Sequence, residues 1–137
     1  METIKMKKGE AADVFNGLVD VKDIKGKSFA LLVSKNMTII REALKPVEDA
    51  GKPNEEFMKL SKEVQQLTAE GTDEAKEKVA KLEEEHKDLI QIRKDQLEDV
   101  NTMLLEDVEL NLHTLTEEEL PDEVTAANIN KLIKIIK

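Results

Sequence analysis

The stretch DVELNLHTL, residues 107–115, decides the fold class, because it alternates apolar and polar side chains in a chain whose other patterns are mostly helical. In an extended strand, three aliphatic side chains would share one face and three polar side chains the other: Val108, Leu110 and Leu112 against Glu109, Asn111 and His113. The pattern therefore predicts a strand over 107–115. Its backbone then needs a hydrogen-bonded partner elsewhere in the chain.

The best partner for this strand is TIKMK at residues 3–7, near the other end of the chain. Ile4 and Met6 fall on one face, and Lys5 and Lys7 on the other. Two strands alone are marginal in water. We therefore predict a small two-stranded sheet that joins the N-terminal and C-terminal regions. It would either pack on the base of the helical hairpin and the last helix or extend by pairing its edge with another copy.

Apolar residues at steps of three and four predict helices over most of the remaining chain. A short helix is expected over 10–20, a helical arm over 28–69 that is interrupted at 51–53, and a long helix over 73–105. Gly71 and Thr72 separate the last two segments. With the turn at this point, the arm and the long helix form a long antiparallel helical hairpin.

A final amphipathic helix is predicted over 125–136, with Thr125 as its N-cap. Its apolar residues follow the i, i+3, i+4, i+7 pattern and are Ile129, Leu132, Ile133 and Ile136. Docking on the domain is the favoured interpretation, and binding to a partner or a membrane surface are the alternatives. The predicted fold is mainly α (α+β), in a single domain over 1–137.

The composition narrows the possible function. Hydrophobic residues make up 39% and charged residues 37%, against typical values of roughly 45–50% and 25%. This modest apolar supply would suit an elongated shape or an oligomer. The net charge of −9 argues against direct binding to nucleic acid or to an anionic membrane, because both need basic clusters. Cysteine is absent, which excludes disulfides and thiolate chemistry.

Patterns that could carry chemistry are few. Glu83 and His86 have the Glu-x-x-His spacing of di-iron helical proteins, but the facing arm offers no inward carboxylate to complete such a site. We therefore expect His86 to lie in the apolar stripe of the hairpin with its polar tip at the edge of the core. His113 is expected on a solvated strand face. No catalytic, cofactor-binding or metal-binding residues are predicted.

In order along the chain, several motifs resemble a loose group of short proteins encoded by tailed bacteriophages and prophages. The similarity is carried by the strand before Gly9, by KGKSFAL at 25–31, by LKPVE at 44–48, by VELNL at 108–112 and by Leu120-Pro121. The resemblance covers nearly the whole chain and implies a helical hairpin closed at its base by a small sheet. It transfers no activity, cofactor or site residue.

The resemblance implies a noncatalytic phage protein that acts through protein–protein contacts in virion morphogenesis or accessory assembly. Its setting would be the host cytoplasm or the virion. The alternatives are a small acidic inhibitor of a basic host or defence protein, and a metal-binding helical dimer. The predicted partner is a phage structural protein or a host protein, and a homo-oligomer is a further expectation. The residues predicted to form the interaction surface are Glu109, Asn111, His113, Ile129, Leu132, Ile133 and Ile136.

Overall fold

A computed structural model describes all residues from Met1 to Lys137. The chain is mainly helical, with six α-helices and one two-stranded antiparallel sheet, so the predicted fold class is confirmed. The elements are β1 (Glu2–Lys7), α1 (Lys8–Val21), α2 (Lys27–Gly51), α3 (Glu55–Glu70), α4 (Asp73–Glu85), α5 (Lys87–Leu104), β2 (Asp107–Leu112) and α6 (Ala126–Leu132).

The sheet pairs the two segments that the sequence predicted. Ile4 lies opposite Leu110, and Lys5 lies opposite Glu109. The apolar residues of this ladder face the core, whereas the charged ones face solvent. The strand of the opening stretch is shorter than predicted, because β2 ends at Leu112.

The chain forms two compact units. The first comprises Met1–Glu48 and Thr102–Lys137, and the second comprises Asp49–Asn101. The single domain over 1–137 stays a prediction.

The core of the first unit lies between the sheet, α1, α2 and the C-terminal segment, which comprises residues 126–137. Its fully buried large side chains include Leu18, Ile40, Leu112, Leu115, Leu132 and Ile135. α6 packs closely on α1 at Gly17, where a Cβ atom would lie 2.7 Å from the Cβ of Lys131. Any larger residue at position 17 would therefore push α6 away. The predicted docking of the C-terminal helix on the domain is confirmed.

The C-terminal segment differs from the predicted helix over 125–136, because α6 ends at Leu132 and a 3₁₀ turn follows over Ile133–Ile135. With three residues per turn, Ile135 lies on the same side as Leu132. Both are 1% exposed, whereas Ile133 is 57% exposed. The predicted apolar stripe was therefore wrong at Ile133, since the change of helix type turns this side chain outward.

The second unit contains a helical hairpin whose turn lies where the sequence placed it. Gly71 adopts a left-handed conformation with φ of 66°, and the hydroxyl of Thr72 caps α4 by accepting from the N–H of Ala75. Asn54 caps α3 in the same way, after an interruption at residues 52–54 that lies one residue later than the predicted one at 51–53. Leu60 and Ala75 are the buried apolar residues of this unit.

The helix predicted over 73–105 is interrupted at His86. His86 has φ of −109° and ψ of 26°, outside the helical region, although its N–H still bonds to the carbonyl of Leu82. Its side chain is exposed. The prediction that His86 lies in the apolar stripe was therefore wrong, because this residue is exposed at a break between α4 and α5.

Candidate interaction surfaces

The solvent face of the sheet holds two of the predicted surface residues. Glu109 and Asn111 are exposed. The hydroxyl of Thr3 donates to Oδ1 of Asn111 at 2.6 Å, and Nζ of Lys5 lies 3.7 Å from a carboxylate oxygen of Asp107. Side chains of β1 thus provide partners for some of the polar side chains of β2 on this face.

His113 has a structural role through its backbone. The N–H of His113 donates to Oδ1 of Asn36, and Nδ2 of Asn36 donates to the carbonyl of His113, both at 2.8 Å. Asn36 is 0% exposed and is the buried polar residue of the chain. In a larger sheet, a neighbouring strand would form hydrogen bonds with the N–H and the carbonyl of His113. Here the side-chain amide of Asn36 forms both bonds. Asn36 was not among the residues predicted from the sequence, where its signal is an amide within the apolar stripe of a helix.

The C-terminal members of the predicted surface are divided by burial. Leu132 is part of the core, and Ile129 and Ile136 are partly buried, so Ile133 is the large exposed side chain among them. The backbone next to Ile136 pairs with Leu115, whose N–H donates to the carbonyl of Ile135 at 3.0 Å. The structure therefore does not bring the seven predicted residues together as one surface, and Leu132 cannot reach a partner.

Three exposed ion pairs link the C-terminal segment to the N-terminal region of the first unit. Nζ of Lys131 lies 2.8 Å from Asp20, Nζ of Lys134 lies 2.9 Å from Glu10, and Nζ of Lys137 lies 2.8 Å from Glu2. Each lysine is three residues from the next, so all three reach toward the N-terminal region. The basic residues of this segment are therefore engaged within the chain.

Glu10 also caps the start of α1. The N–H of Lys7 donates to its carboxylate at 3.0 Å, and this bond, followed by the contact with Lys134, lowers the pKa of Glu10 below its ordinary value. Both partners favour the ionised form. Both contacts therefore stabilise the carboxylate form of Glu10 in the folded chain.

An apolar groove of about 470 Å³ lies on the first unit between α1, α2 and the end of α5. Its residues are Ala12, Phe15, Arg41, Leu44, Val47, Glu48 and Leu104. The guanidinium of Arg41 lies 5.5 Å from the centre of the Phe15 ring, a distance at which a cation is attracted to the ring face. This site was missed because Phe15 and Leu44 have ordinary core spacing, which does not show that their outer edges stay open.

A second groove, of about 400 Å³, runs between the two arms of the hairpin in the second unit. Each arm contributes four residues at the i, i+3, i+4, i+7 spacing of one helix face: Glu63, Gln66, Leu67 and Glu70 from α3, and Lys78, Lys81, Leu82 and Glu85 from α4. The two leucines are partly buried and the other six side chains are exposed. The groove therefore has two apolar residues at its base and charged groups along its sides.

Glu83 and His86 are both exposed, and no group of three or more histidine, aspartate or glutamate side chains is arranged to hold a metal ion. None of the helices combines the length and the apolar character that crossing a membrane requires.

Comparison with protein-family models, with known proteins and with solved structures finds no match to this chain.

Proposed function

We propose that this chain is a noncatalytic phage-encoded protein that acts by binding another protein, in virion morphogenesis or in an accessory assembly step. The observation that carries the protein-binding part is the apolar groove of the first unit around Phe15, Leu44 and Leu104. The phage setting is supported by the sequence resemblance alone.

The groove has the composition of a protein-contact site. Phe15 and Leu44 pack on the core but stay partly exposed, so an apolar side chain inserted between them would complete their burial. Each fully buried aliphatic side chain contributes about 1.5–3 kcal/mol. Apolar centres with a polar rim are typical of protein interfaces.

The charged residues of the groove would determine the orientation in which such a partner binds. Arg41 is held against Phe15, and Glu48 lies one helical turn beyond Leu44 on the same helix. A partner helix with one apolar residue between an acidic and a basic one would match this order. Aromatic and arginine side chains are also those that dominate interface energies.

The proposal is tested by affinity capture from phage-producing cells with a matched pair of variants. Leu44→Glu places a charge in the groove, whereas Leu31→Glu places the same charge on α2 at a side chain that is already 50% exposed outside the groove. We expect the wild type and Leu31→Glu to recover the same phage structural protein and Leu44→Glu to lose it, with circular dichroism showing equal helicity. Full recovery by Leu44→Glu would contradict the proposal.

The acidic inhibitor remains a second candidate because of the net charge of −9. The same capture separates the two. A single basic nucleic-acid-binding host factor, recovered equally by both variants and released by salt, would favour inhibition.

A further inference from the structure

We infer that the groove of the hairpin is the contact surface for a second copy of this chain, with the two hairpins related by a two-fold axis parallel to their helices. The partner fits by charge and by burial, and both arguments come from residues of the second unit. This inference rests on the proposed function only in that both are protein contacts, and it concerns a different surface.

The apolar side chains on the groove side of the hairpin are incompletely buried. Leu60 of α3 is 5% exposed, but Leu67 and Leu82, which line the groove, stay partly exposed. Two helices share one line of contact, and a second pair is needed to enclose a core from both sides, as in four-helix bundles. A second hairpin on this face would cover both leucines of each copy.

The charges of the two arms differ in sign near the middle of the groove. The α3 side carries Glu63 and Glu70, and the α4 side carries Lys78 and Lys81, with Glu85 further from the turn. No ion pair joins the arms across the groove. Apart from the exposed contact of Lys81 with Glu85 on the same helix, these charges are available to groups that approach the face from outside.

A two-fold axis parallel to the helices turns the second hairpin over, so that α3 of one copy faces α4 of the other. The acidic arm then meets the lysine arm twice, once on each side of the axis. A two-fold axis across the helices would instead place α3 on α3 and α4 on α4, and Glu63 of one copy could then not face Lys81 of the other. The first arrangement is the one in which these two charges pair between copies.

The positions along the helices also agree with this arrangement. Counted from the turn, Glu63 lies eight residues before Gly71, and Lys81 lies nine residues after Thr72. At about 1.5 Å per residue these two levels differ by about 1.5 Å. The parallel axis keeps both copies at the same level, so Glu63 of each copy faces Lys81 of the other.

Further from the turn, the signs of the charges are exchanged: α3 carries a lysine and α4 a glutamate. Lys59 is four residues from Glu63 on the same face of α3, and it lies twelve residues before Gly71. Glu85 lies thirteen residues after Thr72 and lines the groove. Its contact with Lys81 of the same helix is 4.0 Å long and exposed, so it contributes little within the monomer. In the dimer, Lys59 of one copy faces Glu85 of the other.

Charge reversal tests the arrangement by sedimentation equilibrium on the full chain. We expect the wild type to form dimers that weaken as salt increases. Glu63→Lys alone and Lys81→Glu alone should each raise the dimer dissociation constant about tenfold or more, because each opposes like charges twice. Lys76→Glu and Glu83→Lys, exposed on the opposite side of α4, are matched controls that should leave it unchanged.

The decisive measurement is a mixture. Glu63→Lys and Lys81→Glu, mixed in equal amounts, should form a heterodimer, because both contacts then pair opposite charges. The double variant Glu63→Lys/Lys81→Glu should regain the homodimer for the same reason. These two rescues also show that the single variants fold. A strictly monomeric wild type, dimers that persist in both single variants, or a mixture that stays monomeric would overturn the inference, and none of these results would alter the capture expected at the Leu44 groove.

Discussion

The two units of the molecule differ in how they bury apolar side chains. All buried apolar residues except Leu60 and Ala75 belong to the first unit, which combines a sheet with helices. The second unit has helices alone, and most of its apolar residues are half-buried. A sheet packed with several helices encloses side chains from several sides, whereas two paired helices cover each side chain from one. Helical pairing without that enclosure leaves surface for a partner.

The largest expected effect is at the core of the first unit. Leu112→Ala should destabilise the protein by about 2–5 kcal/mol, because the side chain is fully buried and the cavity cannot collapse completely. Leu82→Ala in the hairpin should cost about 1–2 kcal/mol, since this leucine is already partly exposed. Urea denaturation followed by circular dichroism measures both losses. Equal losses would show that the two units do not differ in burial as described.

Asn36 gives the next largest effect, and it also belongs to the first unit. Asn36→Ala should cost about 2–3 kcal/mol, because the N–H and the carbonyl of His113 would both lose their partner in a buried site. Asn130→Ala, at an exposed position of α6, is the matched control and should change stability by less than about 0.5 kcal/mol. A loss at position 36 as small as that of the control would mean that water replaces the amide.

The contrast between the units also explains what the sequence could predict. The paired strands followed from alternation, because Ile4 and Leu110 must face the core once their neighbours are charged. The turn of the hairpin followed from Gly71 and Thr72, whose conformations are set by local chemistry. Local rules of this kind act over a few residues and can be read from one chain.

Features that depend on distant residues could not be predicted. The amide of Asn36 meets the backbone of His113 from 77 residues away, and no local pattern encodes that contact. The groove at Phe15 exists because α1, α2 and the end of α5 leave one edge uncovered, which depends on packing distances. The exposure of Ile133 depends on a change from α-helix to 3₁₀ turn, and the ends of elements are the least predictable positions.

A cap in the second unit should have a smaller effect than either core change. Thr72→Ala should cost about 1 kcal/mol, because the N–H of Ala75 loses its partner at the start of α4. Thr68→Ala is a matched control, since the hydroxyl of Thr68 bonds back to the carbonyl of Val64 within α3 and should contribute little. Hydrogen exchange of the first amides of α4 measures the change. Slower or unchanged exchange in Thr72→Ala would contradict the role of the cap.

The smallest expected effect is a difference between the two units in how their helix caps depend on pH. α3 and α4 have neutral caps, Asn54 and Thr72, whereas α1 is capped by the carboxylate of Glu10. The pKa of Glu10 is lower in the folded chain than its ordinary value of 4.5. The stabilisation is therefore fully present above this value and is lost as the pH falls through the folded pKa. The first unit should lose this contribution in acid, and the caps of the hairpin should not.

Carbon-detected NMR titration of the Glu10 carboxyl measures this shift, and Lys134→Gln identifies its cause. The hydrogen bond from the N–H of Lys7 is the larger influence and Lys134 the smaller. The pKa of Glu10 should therefore rise in Lys134→Gln but stay below 4.5. A return to the ordinary value in this variant would show that the ion pair, and not the cap of α1, holds the carboxylate ionised. The pH dependence would then belong to the docking of the C-terminal segment.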